Sequence, residues 1–465
     1  MRVGAASMVD ASTCGQVQSV LAKLSLCRTH VLGGREYLCN DCGKSSSRYN
    51  SCGDRHCPQC SGSKRVDFND KASKLILSGV AYYQVVFTLP SDLSELALAN
   101  RNELADLLVS TAWKSLSKNI KSEQDYDPAA ISVLHTWNQK LEAHWHVHML
   151  VPGAGPSLSG DEWKEAKTPP GVRNSDGYYL VDSEKLKDDF RKRAVAKLRR
   201  LRRDGKLKFG GKFEYLQSDE NWEVFVKNLE STQWVAYIQP PPKETSGGGE
   251  VVNYLTRYLT GGPISNHRIT AADGDEVVFM AREGKRVGGE REQVPIKLSV
   301  PEFTRRWCLH IQPDQLTKSR YFGGWSNNRL AGYMARCQEL LGTEPEVSEA
   351  PVEAVDSMDS QWEPPSLPEC AHCGSIELSL VCETPKPTWK ELFWRESETC
   401  PEWYAERQRE SHREFWTAHY GSDYYDWYLE TQVEVAKETG PEPAKAIQMY
   451  LPGLTPGVSF EIESF

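Results

Sequence analysis

No apolar run in this chain of 465 residues is long enough to span a bilayer, which takes about 20 residues. The first residues, MRVGAASMVDAS, lack a basic start followed by an apolar stretch, so no secretory leader is expected. Both absences lead to the expectation of a soluble, cytoplasmic protein with no membrane partner. Two further shortages are local. Residues 14–60 have few apolar side chains and many Gly, Ser and Asn, too little to build a core without a staple. Residues 341–465 are short of positive charge, with 8 Lys+Arg against 25 Asp+Glu, a balance of −17. That leaves 47 basic and 39 acidic residues for 1–340, a balance of +8, although the whole chain stands at −9. The first three-quarters therefore suits contact with a polyanion, and the last quarter does not. This length allows two to four domains and a sizeable core.

What fills the apolar-poor segment is cysteine. Seven of the thirteen cysteines, Cys14, Cys27, Cys39, Cys42, Cys52, Cys57 and Cys60, fall before residue 61, with His30 and His56 among them. In a chain read as intracellular, metal accounts for them better than disulfides. Cys39-x2-Cys42 and Cys57-x2-Cys60 are separated by fourteen residues, just below the usual range for a four-cysteine zinc site. Each pair forms a tight turn that presents two thiolates, and two such turns complete a tetrahedron around a structural Zn²⁺. Cys27, His30, Cys52 and His56 are alternative ligands, for one of the four positions or for another site. Cys14 and Cys52 read equally well as small buried hydrophobes. Cys370-x2-Cys373, with Cys382 and Cys400 beyond, is a candidate second zinc site of irregular spacing.

Beyond a helical pattern over 64–80, residues 81–90 form a β-rich run closed by Pro90, hence a strand. Residues 91–122 carry Leu93, Leu96, Leu104, Leu107, Leu108 and Trp113 near helical spacing. Ile131–Trp137 and Trp145–Val151 read as two more strands, joined by a tight connection about Asn138–Glu142. Strand side chains alternate, so His146 and His148 share one face, while Val147, Met149 and Val151 point the other way, towards a core. Two imidazoles side by side are a ready pair of ligands for a divalent ion. Alone, such a pair reads equally as polar surface.

A polar insertion over 152–178 precedes a basic helix. Residues 185–212 hold thirteen Lys+Arg, including Arg199, Arg200, Arg202 and Arg203, against Asp188, Asp189 and Asp204. In a chain otherwise acidic, this stretch suits a nucleic-acid backbone. Strand-like runs follow at 222–226 and 233–238. Gly247-Gly248-Gly249 then opens a helix over 250–260, stopped by Gly261-Gly262-Pro263. Tyr254 and Tyr258 on it are four residues apart and share a face.

These parts share one chemistry. A tyrosine phenolate attacks a DNA phosphodiester and forms a phosphotyrosine link, which conserves the phosphoester energy without a nucleotide cofactor. The reaction needs a divalent ion at the scissile phosphate, which two histidines and a third ligand would hold.

His-Val-His within HWHVHMLVPG, followed by Tyr-x3-Tyr in NYLTRYL, resembles the HUH (histidine-hydrophobe-histidine) endonucleases with two tyrosines. More narrowly, six stretches resemble the rolling-circle transposases of the insertion sequence 91 family. They are CRTHVLGG (27–34), YNSCGDRHCPQC (49–60), YQVVFTLP (83–90), YLTRYLTGGPISNHRI (254–269), PEFTRRWCLHIQP (301–313) and SRYFGGWSN (319–327). The resemblance implies an α+β architecture: a zinc-binding domain over 14–65, an antiparallel-sheet HUH nuclease domain over 66–335, and an acidic region over 336–465 of unassigned function. That last region is expected to be largely helical, from its Trp/Tyr-rich stretch over 388–428. The resemblance also implies nicking of single-stranded element ends and target DNA, in a cytoplasmic, nucleoid-associated bacterial protein. Carried over, His146 and His148 hold Mg²⁺ or Mn²⁺, and Tyr258, then Tyr254, are the nucleophiles. Gln84 lies where relatives often have histidine and is the first candidate for third ligand, with His144 and Glu142 as rivals. The family usually has Thr-His-Arg where this chain has Leu259-Thr260-Gly261-Gly262, so Arg257 or Arg268 would replace the arginine expected to contact phosphate. Two competing readings remain. One is a replication initiator or relaxase, which shares the histidines and tyrosines. The other is a zinc-finger nucleic-acid-binding protein whose histidines and tyrosines are structural.

Overall fold

The computed structural model describes residues 15–60, 68, 70–172, 177–241, 262–287, 290–342 and 369–393. The chain divides into two compact units, one from 1–60 together with 356–465, the other from 61–355. The first unit starts with helix α1 (Gly15–Leu26), which buries Val17, Val20, Leu21 and Leu24 at helical spacing. Strands β1 (Gly34–Cys39) and β2 (Ser45–Tyr49) form a hairpin in the register Gly34↔Tyr49 to Leu38↔Ser45.

The second unit is built on a five-stranded sheet whose neighbours are all antiparallel. In chain order its parts are β3 (Tyr82–Thr88), helices α2 (Ser91–Leu96) and α3 (Arg101–Gln124), β4 (Ala129–Trp137) and β5 (Ala143–Pro152). A short ribbon of β6 (Ala154–Pro156) and β7 (Trp163–Glu165) follows, then α4 (Ser183–Arg203), α5 (Asp219–Ser231) and β8 (Val235–Gln239). A second sheet holds β9 (Ile269–Asp273), β10 (Glu276–Val287) and β11 (Glu290–Ser299), and leads into α6 (Val300–Cys308). Strand β12 (Ser319–Gly323) returns to the edge of the main sheet, and α7 (Leu330–Leu341) closes the unit. The order across the main sheet is β12-β4-β5-β3-β8. The last two elements, β13 (Leu378–Thr384) and the short helix α8 (Trp389–Phe393), belong to the first unit, where β13 pairs with the free side of β1.

Alternation sorts the main sheet into two faces. Tyr83, Val85 and Phe87 of β3 and Trp145, Val147, Met149 and Val151 of β5 turn to one side and pack under α3 and α4. The apolar stripe of α3, including Leu104, Leu107, Leu108 and Leu116, fits there because those positions recur on one helical face. Phe190 of α4 meets Phe87 edge-on at 5.0 Å and Trp234 at 5.2 Å. Burying such a ring stabilises by about 1.5–3 kcal/mol. Part of the opposite face is covered by Trp325, Tyr333 and Cys337, against Ile131, Val133 and Leu150. The histidines of β4 and β5 lie on this second face.

Three expected elements differ. The helix expected over 91–122 is two, because the Asn100 side chain donates to the carbonyls of Leu96 and Lys208 and breaks the run. The strand-like run at 222–226 lies inside α5: Ser218 caps that helix, and Trp222, Phe225, Val226 and Leu229 are buried at helical spacing. The basic helix ends at Arg203 rather than Lys212, as the chain turns through Gly205 at φ +65°. Most of the acidic stretch expected to be helical lies outside the described residues. Its described part pairs as a strand over 378–384 and is helical over 389–393.

Candidate metal centre

His146 and His148 project side by side from β5, as the alternation of the strand requires. Strand β4 runs beside it in the register Val133↔His148 and His135↔His146, so a third imidazole comes to the same face. The ligand atoms of His135, His146 and His148 all lie within 4.8 Å of one another. Ring centroids are 5.2 Å apart for His135 and His146, 4.8 Å for His135 and His148, and 5.0 Å for His146 and His148. Trp137 stacks on His135 at 4.7 Å.

The hydrogen bonds leave this trio suited to a metal. His146 Nδ1 lies 2.8 Å from the carbonyl of His144, so Nδ1–H donates there and the lone pair sits on Nε2. Gln84 lies on β3 two strands from His135, and its amide is 2.6 Å from His148 Nδ1. As placed, the amide nitrogen donates to Nδ1; turning the amide over would let Nδ1–H donate to its oxygen and leave Nε2 of His148 free as a ligand atom. Gln84 thus contacts His148, and His135 supplies the third imidazole of this face. Burial lowers the pKa of His146 well below the usual histidine value, helped by its histidine neighbours. Burial, with Lys318 nearby, lowers His148 to about 4. A neutral imidazole is the form that ligates. His144 points along the same face, 5.0 Å from His146, but is not one of the three.

The hairpin loop that sets this register is held from outside. Asn138 Oδ1 accepts from the backbone N–H groups of Lys140 and Glu142. Leu141, fully buried, adopts a left-handed φ of 61°, a strained conformation for a leucine. Three consecutive carbonyls of the loop are then taken up by side chains: Gln139 by Arg268 at 2.5 Å, Lys140 by Arg306 at 3.1 Å, and Leu141 by His310 Nε2–H at 3.1 Å. Thr136 Oγ1 completes the His310 ring at 3.1 Å. The loop thus fixes where β5 starts and how its histidines line up. His310 is buried and its pKa falls to about 4, so it stays neutral.

Other expected site residues are placed differently. Arg268 also donates to the carbonyl of Met280 and lies over the Phe279 ring, so it serves the hairpin, and burial lowers its pKa. Arg199 pairs with Glu223 at 2.7 Å, and Arg202 with Asp219 at 2.6 Å while lying over Trp222, so both tie α4 to α5. Arg200 and Arg203 share Asp204 but keep most of their side chains in solvent, 73% and 74% exposed. They are the two of the four that remain presented to a partner. Tyr254, Tyr258 and Arg257 lie outside the described residues.

The four cysteines expected to share one ion are divided. Cys57 and Cys60 converge with Cys27 and Cys52, with sulfurs 3.5 Å apart for Cys27 and Cys60 and 3.6 Å for Cys52 and Cys60. Four thiolates at about 2.3 Å from Zn²⁺ stand about 3.8 Å from one another, so this set fits the ion. Backbone N–H groups of Cys52 and Asp54 point at the sulfurs of Cys27 and Cys52, as suits thiolates. Cys39 and Cys42 lie instead with Cys370 and Cys373. His56 bonds to Asp54, and His30 lies edge-on to Tyr49; neither joins a cluster. Cys382 stays apart on β13, and Cys14 and Cys400 lie outside the described residues.

The chain thus holds a cysteine-rich unit with clusters that could bind zinc and an α+β unit with a histidine trio, and comparison with known proteins gives the class. The family described as "Transposase zinc-binding domain" matches residues 5–89, and that described as "Putative transposase" matches residues 129–331. The protein named "Putative transposase y4qJ" of Sinorhizobium fredii is 31% identical over 369 residues, 78% of this chain and 88% of that one. The "Transposase for insertion sequence element IS801" of Pseudomonas savastanoi pv. phaseolicola is 26% identical over 329 residues, 70% of this chain and 74% of that one. No solved structure matches. The chain belongs to the insertion sequence 91 family of transposases. None of its described helices is long and apolar enough to cross a membrane.

Proposed function

We propose that this transposase is an HUH endonuclease and strand transferase that nicks single-stranded DNA at element ends through a 5′-phosphotyrosine link and mobilises its element by a rolling-circle mechanism. The trio of neutral imidazoles on one sheet face carries this reading. Its ligands are His135, His146 and His148, with Gln84 orienting His148. Three nitrogen donors suit Mn²⁺ better than Mg²⁺, which prefers oxygen. His135, His146 and His148 would hold a divalent ion there, which would polarise the scissile phosphate and offset the charge that builds on it.

Tyr258, with Tyr254 as its successor, is the nucleophile. Its oxygen bonds to phosphorus as the bond from phosphorus to the 3′ oxygen breaks. The phenol proton passes to solvent, and the 3′ oxygen leaves as a hydroxyl. The reverse attack by a 3′-hydroxyl rejoins DNA and frees the tyrosine. A cavity of about 910 Å³ opens beside His144 and is lined by Glu142, Lys212, Phe213 and Arg305. It offers an aromatic face and positive charge to a single strand near the metal centre.

The test mixes the full chain, a divalent ion and single-stranded oligonucleotides carrying the element's ends. A covalent protein–DNA adduct is expected, lost in Tyr258→Phe and in His146→Ala. Folded protein that forms no adduct with any end or ion would leave a non-catalytic DNA-binding role.

A further inference from the structure

We propose that Cys39, Cys42, Cys370 and Cys373 bind a second zinc ion, which makes the zinc-binding domain discontinuous and gives the segment 369–393 its function. The family match to that domain ends at residue 89, and the sequence alone pairs Cys39 and Cys42 with Cys57 and Cys60. The ligand atoms of the second set lie within 4.8 Å of one another. Cys39 and Cys373 sulfurs are 3.6 Å apart, as are those of Cys42 and Cys370. This is the spacing of the first site and fits tetrahedral thiolate coordination. The amide of His372 points at Cys370 Sγ at 3.4 Å, the donor arrangement seen at Cys52 and Asp54 in the first site.

Three independent observations seat the rest of the segment. Strand β13 pairs along the whole of β1, from Gly34↔Thr384 to Cys39↔Leu378, and satisfies an edge that would otherwise be open. A Cβ at Gly33 would lie 2.5 Å from the carbonyl oxygen of Thr384 and 2.6 Å from that of Pro385, at a φ of +66°. Gly33 of the VLGG stretch is thus a position shaped for the returning chain. Lys386 Nζ donates to the carbonyl of Cys52, inside the first cluster, at 3.0 Å, and Trp389 lies beneath both Lys23 and Lys386. The segment therefore completes one cysteine site and braces the other.

Cys42 and Cys370 are 328 positions apart, so the ion closes a loop that contains the entire nuclease unit. The second site cannot form until the ribosome has made residue 373. A chain lacking residues 341–465 has two thiolates where four are needed.

The experiment counts thiolate-bound metal in the reduced full chain. Zinc released by a thiol-modifying mercurial is read with a metallochromic dye, and cadmium-substituted protein is read by NMR. Two zinc ions per chain and two four-sulfur cadmium signals are expected, falling to one of each in Cys370→Ser/Cys373→Ser. In that variant, proteolytic cleavage within 369–393 should become faster in the presence of zinc. The signal from the first site reports that the remainder of the unit is folded. One thiolate-bound zinc in the unmodified chain, or two in the double variant, would overturn the proposal. So would one zinc with Cys39 and Cys373 joined in a disulfide after reduction.

Discussion

The two units solve the problem of stability by opposite means. The sheet unit hides a broad apolar layer, from Phe87 and Trp145 to Leu116 and Phe190, between five strands and helices. The zinc-binding unit has a small apolar core around Leu21 and Leu32, and six of its cysteines, Cys27, Cys39, Cys52, Cys57, Cys60 and Cys370, lie among the buried residues. One unit therefore draws its stability from area removed from water, the other from metal–thiolate bonds that exist only in the folded state. The same contrast extends to metal use. In the zinc unit all ligand positions are protein thiolates, the closed arrangement of a structural site. In the proposed function the histidine trio would supply three ligands and leave positions for a phosphate.

Chelation breaks this comparison most sharply. Removing zinc should unfold the first unit outright and leave the second folded, so that hydrogen-exchange protection is lost in the first unit alone and one thermal transition, that of the second unit, remains. Loss of protection in both units on chelation would show that they are not independent in stability. Next in size is the core. Phe190→Ala should cost the sheet unit about 3–5 kcal/mol in denaturant unfolding, with zinc content unchanged.

An effect of pH comes third. An unfolded imidazole takes a proton near the ordinary value of 6.5, whereas folded His310 does not do so until about 4, because it is buried. As pH falls from 6.5 to 4 the unfolded state alone gains that proton, so the metal-free sheet unit loses stability by roughly 1.4 kcal/mol per pH unit from this group. Below about 4 the loss stops. His310→Gln, which keeps a donor for Leu141, should flatten the slope by one proton; an unchanged slope would assign it to other groups. Smallest are the surface arginines. Arg200→Ala and Arg203→Ala should weaken binding of all single strands alike and lower its salt dependence without changing stability. Arg199→Ala and Arg202→Ala should instead cost up to about 1 kcal/mol of stability each.

Much of this site was legible in the sequence, and the misses have physical causes. The His146–His148 pair follows from the two-residue repeat of a strand, which needs no tertiary knowledge. His135 could be found only by pairing two strands across a hairpin whose register shifts between His135 and Trp137, whereas Gln84 comes from the family resemblance. The signal was present: a histidine on the preceding strand, joined to the pair by a short loop. Cysteine spacing shows which thiols form a turn but not which turns meet. Cys39 and Cys42 were assigned to the nearest CxxC because their partners are more than three hundred residues away. Residues 222–226 misled because Trp222, Val224 and Val226 alternate like a strand, while the helical spacing shows only when Phe225 and Leu229 are included. Arg268 was expected at phosphate, and its contacts with Gln139 and Met280 are long-range features that charge patterning does not reveal.

The most direct test of the account is metal-dependent adduct formation compared across three single variants. Full-length wild-type protein is titrated with Mn²⁺ and with Mg²⁺ in the presence of a single-stranded element end, and covalent adduct is measured. The account predicts formation at lower Mn²⁺ than Mg²⁺, loss in His135→Ala as complete as in His146→Ala, and retention in His144→Ala. Adduct that survives His135→Ala but is lost in His144→Ala would contradict it and move the third ligand along β5.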